Sequence, residues 1–311
     1  MKQQIPPLWV WYIVFPLAAA ILFLVGSLSP VNPFYGKERH HLIYQKRLAH
    51  FLDDMKQHPN EDECRVLCWG SSLTEQAINF SDTLKEKISN KTGQDIGVYK
   101  MFMEDLGVNQ LQHLENLFEA SLELNPQLIL IESFVFIEKS KKRSINTQII
   151  DQYKNTINAR FFDRKGRPVR EERYHKNFNY FNQRLLRKHK IIDTSYVATK
   201  IRNIYNFTEL DWIEDKLKPF KEKNIPIIII DVPRVGSFEK KLRTLENKTQ
   251  KEAFVNAMRA AGFQVNYWAF NEFLPYSYYN DYAHMNEKGM LYYSNWLTDK
   301  ITHYFSGQCS N

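Results

Sequence analysis

Ser72 follows Gly70-Ser71 at the end of the apolar run Val66-Leu67-Cys68-Trp69, and Asp281 and His284 lie three apart near the other end of the chain. A strand that ends in Gly-x-Ser lets a small residue bend the backbone sharply and lifts the hydroxyl clear of the sheet edge. Serine alone is a weak nucleophile at neutral pH. It needs a neutral imidazole within hydrogen-bond reach and a carboxylate that holds the imidazole in the right tautomer. Asp281 and His284, in a turn or at a helix start, can face one cleft and supply both. The chemistry expected is acyl transfer through a serine ester. Glu132, at a strand end, reads as a satisfied buried carboxylate or a group supporting the site from behind, not as a catalytic one. Arg234, after Asp231-Val232-Pro233, could clamp an anionic substrate group or simply solvate a loop.

The elements that must position these residues follow from periodicity. A strand over 65–69 leads to a helix over 74–89 closed by Gly93, a strand over 98–103, a helix over 109–124 stopped before Pro126, and a strand over 127–131. Such alternation predicts a parallel sheet with helices on both faces. The segment 138–210 is rich in Lys, Arg, Tyr, Phe and Asn, holds no run resembling a buried strand, and reads as a basic helical insertion. The sheet resumes over 225–232, a continuous apolar run of the kind buried on both faces. A shorter strand near 264–267 and a last amphipathic helix over 290–305 complete it. The fold class is α/β, a flavodoxin-like three-layer sandwich. In open parallel sheets the active crevice lies beyond the carboxyl ends of the strands, which places Ser72, Gly107, Ser133 and Arg234 along one rim.

Gly70-Ser71-Ser72-Leu73-Thr74 resembles the first block of the SGNH (GDSL) hydrolases, with Ser71 in place of the aspartate, and Asp281-x-x-His284 resembles their last block. The resemblance spans about residues 64–305. It implies that Ser72 is the nucleophile, that Asp281 and His284 complete the triad, and that the backbone N–H groups of Ser72 and Gly107 bind the oxyanion. Gly107, in Asp105-Leu106-Gly107-Val108-Asn109, fits the second block. The third block departs: after Leu128-Ile129-Leu130-Ile131 the family has Gly-x-Asn-Asp, and this chain reads Glu132-Ser133-Phe134. Membrane-anchored relatives such as the D-alanyl-lipoteichoic acid D protein and the alginate-type O-acetylation proteins share the overall arrangement. They imply partnership with a membrane-bound O-acyltransferase and modification of a surface glycan. The expected activity is that of a serine O-acyltransferase or esterase; the alternative is a non-catalytic accessory subunit that binds glycan or the acyltransferase.

Residues 8–28 are uncharged and almost wholly apolar, long enough as a helix to span a hydrocarbon core of about 30 Å. The expected organisation is a transmembrane anchor over 1–30, a linker and juxtamembrane helix over 31–60, and an SGNH-like domain over 61–311. A cleaved signal peptide is the rival reading, but the apolar stretch exceeds a usual h-region and Gly26-Ser27 lacks a cleavage box. Lys37, Arg39, Lys46 and Arg47 follow the span, and the positive-inside rule read literally puts the large domain in the cytoplasm. The resemblance implies the opposite, a single-pass anchor with the domain extracytoplasmic. Cys64 and Cys68 bracket the first strand at a spacing that suits burial. The net charge of +7 concentrates in 139–143 and 160–190, consistent with anionic headgroups or acidic polymers nearby. No cofactor, metal or nucleic acid is expected.

Overall fold

The computed structural model describes residues 7–28, 45, 47–53, 55–56, 63–79, 82–103, 106–107, 115–138, 206–207 and 210–308. Two compact units divide the chain, 1–43 with 141–171, and 44–140 with 172–311.

In the first unit, α1 (Leu8–Leu28) is a helix of 21 residues with Pro16 inside it and no charge in its sequence. Leu8, Tyr12 and Phe15 are exposed. Side chains are described for 8–21 and 24 of this helix, and among the described residues no helix is long and apolar enough to cross a membrane.

The second unit is built on five parallel strands: β1 (Cys64–Gly70), β2 (Ile96–Phe102), β3 (Leu128–Glu132), β6 (Ile227–Ile230) and β7 (Val265–Trp268). Their spatial order is β2-β1-β3-β6-β7. The runs are apolar without alternation because both faces are covered. Leu67, Trp69, Ile129, Ile131, Ile227 and Ile229 pack into one core with α4 (Glu115–Glu123), α5 (Asp211–Glu222) and α7 (Leu245–Ala260). Val66, Cys68, Leu128, Leu130, Ile228 and Ile230 pack into another. That second core is closed by α2 (Ser72–Ala77), α3 (Asp82–Thr92), α6 (Gly236–Leu242) and α8 (Glu287–Gln308). Trp69 ties the first core together: its Nε1 donates to Ser121 Oγ at 3.1 Å, and its ring meets Phe118 and Phe220 edge-on.

Several expectations change in detail. The single helix over 74–89 is two helices, because Ile78 is extended and the Asn79 N–H goes to Ser294 Oγ at 2.8 Å instead of continuing the helical ladder. Gly93, at φ 71°, closes α3 as expected. The insertion is entered and left through a strand pair, β4 (Ile137–Glu138) against β5 (Asn206–Phe207), so its ends are not helical; its interior, 139–205, with both basic clusters, lies outside the described residues. Residues 45, 47–53 and 55–56 of the juxtamembrane segment are helical, and Leu48 and Phe51 are buried. Cys64 and Cys68 are both free thiols.

Lys100 is buried on β2, opposite Cys68, and its Nζ donates to the Glu75 carbonyl in α2 at 3.3 Å. Burial lowers this amine to about 8, against the charges of Glu75 and Cys68. Burial likewise pushes the Cys68 thiol up to about 12, against the charge of Lys100. Between about 8 and 10.5 the unfolded chain holds more protons at Lys100 than the folded one, so stability rises with pH there. Between 9.0 and about 12 the thiol does the reverse. Urea titrations should therefore show the unfolding free energy rising from pH 8 to 9, by up to about 1 kcal/mol, then flattening. Lys100→Met should abolish the rise; a flat wild-type profile would refute this assignment.

Candidate active site

β1 ends at Gly70, whose carbonyl accepts from the Met103 N–H at 3.0 Å. A Cβ at Gly70 would collide with the Thr74 side chain and approach Glu132 Oε2 to 2.8 Å, so the turn requires glycine for close approach. Ser71 caps α2: its Oγ accepts from the Leu73 N–H at 3.2 Å. The same hydroxyl donates to the Glu132 carboxylate at 2.9 and 3.0 Å, and the Ser71 N–H donates to Oε2 at 2.7 Å. Thr74 Oγ1 donates to that oxygen at 2.6 Å. Glu132 is 1% exposed and sits at the end of β3, beside β1. One buried carboxylate thus gathers three donors from the turn that carries Ser72. With the amides of 71 and 73 engaged, the Ser72 N–H, in the first turn of α2, has no intrahelical acceptor.

Ser72 Oγ lies 3.0 Å from His284 Nε2, and His284 Nδ1 lies 2.8 Å from Asp281 Oδ2. Asp281 Oδ1 accepts from the N–H groups of Ala283 and His284, both at 2.8 Å. The carboxylate therefore shapes the turn that presents the imidazole. With Nδ1–H donating to Asp281, Nε2 is left as the acceptor for the serine proton. Burial alone would raise the Asp281 carboxyl. The hydrogen bond and charge of His284, with the two backbone N–H groups, outweigh it and hold the carboxyl below its ordinary value. The Asn280 N–H donates to the His284 carbonyl at 2.8 Å, and the Tyr279 hydroxyl reaches the carbonyls of Pro233 and Arg234 at 3.2 and 2.9 Å. The loop is thus pinned to the segment after β6.

The other expected residues fare differently. Gly107 is buried in the loop that leaves β2; Asn109 lies outside the described residues. Ser133 opens a 3₁₀ turn and donates to Asp231 Oδ1 at 2.7 Å, toward β6 and away from the nucleophile turn. No asparagine follows β3. Arg234 is set between aromatic rings and a carboxylate. Its side chain is 11% exposed, its guanidinium lies 4.7 Å over the Phe134 ring and 5.7 Å from that of Phe238, and Nη1 is 3.9 Å from Glu239 Oε1. The reach of Ser71 and Thr74 to Glu132 has no sequence signal beyond a glutamate directly after an apolar strand. Among the described residues, no three or more His, Cys, Asp and Glu side chains gather as a metal site.

Glu132→Ala is expected to cost about 3 kcal/mol in urea unfolding, because it strips the acceptor from a buried N–H and two buried hydroxyls. Glu132→Gln should cost less, since one amide oxygen remains to accept. Equal stability of all three proteins would contradict the buttressing role.

No protein-family model and no curated protein matches the chain. Among solved structures it is similar to a candidate lipolytic protein of the G-D-S-L family from Desulfitobacterium hafniense DCB-2. That alignment has 11% identity and a TM-score of 0.37, covering 76% of this chain and 98% of the other. It is also similar to an active site mutant of a family two carbohydrate esterase from Clostridium thermocellum, at 11% identity and a TM-score of 0.38, covering 79% of this chain and 65% of the other. At these values the likeness bears on neither activity nor substrate.

Proposed function

We propose that the chain is a serine-dependent acyl-ester enzyme that transfers or removes an acyl group, specifically acetyl, on a cell-surface polysaccharide. The observation that supports it is the unbroken hydrogen-bonded chain from Ser72 through His284 to Asp281 at the carboxyl edge of the sheet. Ser72 Oγ attacks the ester carbonyl while His284 Nε2 takes its proton, and Asp281 steadies the imidazolium. The tetrahedral oxyanion is held by the N–H groups of Ser72 and Gly107. Collapse breaks the ester C–O bond, His284 returns the proton to the departing alkoxide, and the acyl group stays on Ser72. In the second half His284 deprotonates a sugar hydroxyl or water, which attacks the acyl carbon and frees the serine.

The proposal places the domain outside the cytoplasm on a membrane anchor formed by α1. The support for the anchor is the sequence, uncharged and almost wholly apolar over residues 8–28. A membrane-bound O-acyltransferase is the proposed acyl supplier, and an anchored enzyme beside it favours transfer over hydrolysis. Incubating the full chain in detergent with p-nitrophenyl acetate, with and without a polysaccharide acceptor, tests the activity. The expected result is p-nitrophenol release, with acetyl on the polymer when acceptor is present. No release under either condition would remove the proposal.

A further inference from the structure

A cavity of about 200 Å³ opens beyond the carboxyl ends of β3, β6 and β7, and none of Ser72, Asp281 and His284 lines it. Its wall carries four cations, Arg234, Arg243, Lys248 and Lys251, against three carboxylates, Asp231, Glu239 and Glu252. Asp231 is fully engaged: it accepts from Ser133 Oγ at 2.7 Å, from Lys251 Nζ at 2.8 and 3.0 Å, and from the Tyr267 hydroxyl. Lys251 gives its remaining N–H to the Tyr267 oxygen at 2.7 Å. Glu239 serves both arginines. It accepts from Arg243 Nε at 3.2 Å and from the Arg234 backbone N–H at 2.8 Å, and lies 3.9 Å from Arg234 Nη1.

One positive charge is therefore in excess, and the unused donors lie where α6 gives way to α7. Arg243 Nη2 donates to the carbonyls of Phe270 and Glu272 at 2.6 and 3.3 Å, while Nη1 has no acceptor among the described residues. Lys248 Nζ is 3.8 Å from Glu252, outside hydrogen-bond distance, and both side chains are largely exposed. Asn247 Nδ2 gives one N–H to the Leu242 carbonyl at 2.6 Å and keeps the other. A carboxylate can accept from these donors without breaking a pair, and arginine–carboxylate bonds are among the strong ones. A cation meets net repulsion. A neutral ligand would strip water from Arg243 and return no charge. A dianion would leave one negative charge without a counterpart in a partly desolvated site.

The rest of the lining decides the body of the ligand. Phe134, Ile137, Phe207 and Phe270 bring apolar groups to the same space, and the polar groups of Ser133, Asp231, Lys251 and Tyr267 are bound to one another. A body rich in hydroxyls would lose its hydration there and find few partners. An aromatic ring or a short alkyl chain gains by the same burial. The volume falls below the roughly 300–1,000 Å³ of clefts for drug-sized ligands, which limits the occupant to about one ring. We propose that this cavity binds a small apolar monocarboxylate, an aromatic or short-chain fatty acid, with its carboxylate at Arg243 and Lys248. The site is separate from the serine, and its assignment does not rest on the acyl-ester reading.

Titration calorimetry on the full wild-type chain in detergent, with detergent alone as the blank, tests the assignment without turnover. Benzoate or hexanoate should bind at neutral pH, and added salt should weaken the complex. Benzyl alcohol, benzylammonium, phenyl phosphate and methyl glucuronide should each bind at least about tenfold more weakly than the better acid. Arg243→Lys, which keeps the charge and loses Nη1, should weaken benzoate about tenfold. Lys248→Gln, at an exposed side chain, should weaken it about threefold and serves if the first variant does not fold. His284→Ala should bind benzoate as the wild type does, because the imidazole does not line the cavity. Failure of both acids, equal or tighter binding of any other probe, unchanged binding in the folded variants at 243 and 248, or loss of binding in His284→Ala overturns the proposal. Benzoate binding by a chain that never turns over an ester leaves the cavity assignment standing and removes only the acyl-ester reading.

Discussion

Ser72→Ala should bring ester turnover to the background left by binding and oxyanion contacts, a loss of about four to six orders of magnitude in kcat. The size of the effect follows from there being no substitute hydroxyl. Ser71 is adjacent, but its proton is given to the Glu132 carboxylate and its oxygen accepts the Leu73 N–H. Thr74 is likewise bound to Glu132. Only Ser72 Oγ has the His284 nitrogen at 3.0 Å. Ser71→Ala should therefore keep its nucleophile and lose about 1 kcal/mol of stability with the helix cap, with a modest fall in rate as the turn loosens. Steady-state kinetics and urea unfolding on both variants check the pair. A Ser71→Ala protein as inactive as Ser72→Ala, yet equally stable to wild type, would reverse the assignment.

His284→Ala should cost about three to five orders of magnitude in kcat with KM little changed, because proton transfer in both half-reactions runs through Nε2. Asp281→Asn should cost a similar or smaller amount. An amide at this position can donate as well as accept, so the imidazole can settle with its proton on Nε2, the tautomer that cannot take one from serine. Asp281 also shapes its own turn through the Ala283 and His284 N–H groups. Its carboxyl lies below the ordinary value in the folded protein. Its contribution to stability is therefore complete above the usual carboxylate range and is lost as pH falls through the depressed value. Asp281→Asn should flatten that acid limb of the unfolding curve. Full turnover by folded variants at both positions would remove His284 and Asp281 from the catalytic machinery.

The triad's members were legible because their chemistry is carried by short spacings: a Gly-x-Ser turn after an apolar run, and a carboxylate three residues before a histidine. Their meeting was not, since it depends on the loop of Tyr279 to Met285 docking against the segment after β6 through the Tyr279 hydroxyl. The central strands were legible from runs such as Ile227–Ile230 that no exposed face could tolerate. Helices α5, α6 and α7 were less so: α5 contains Pro219, and α7 buries only Phe254, Val255 and Met258 along 16 residues. The break between α2 and α3 is set by Ser294, a residue far away in sequence. Glu132 and Arg234 show the same limit from the side of single residues. Their types allow several roles, and only their tertiary neighbours, Ser71 and Thr74 for one, Phe134 and Glu239 for the other, decide between them.

Mass-spectrometric mapping of the adduct formed with a serine-reactive fluorophosphonate tests the central claim most directly, because the probe bonds only to a serine whose base is in place. The account predicts one adduct, on Ser72, abolished in Ser72→Ala and strongly slowed in His284→Ala. An adduct on Ser71 or Ser133, or undiminished labelling of the Ser72→Ala protein, would contradict it.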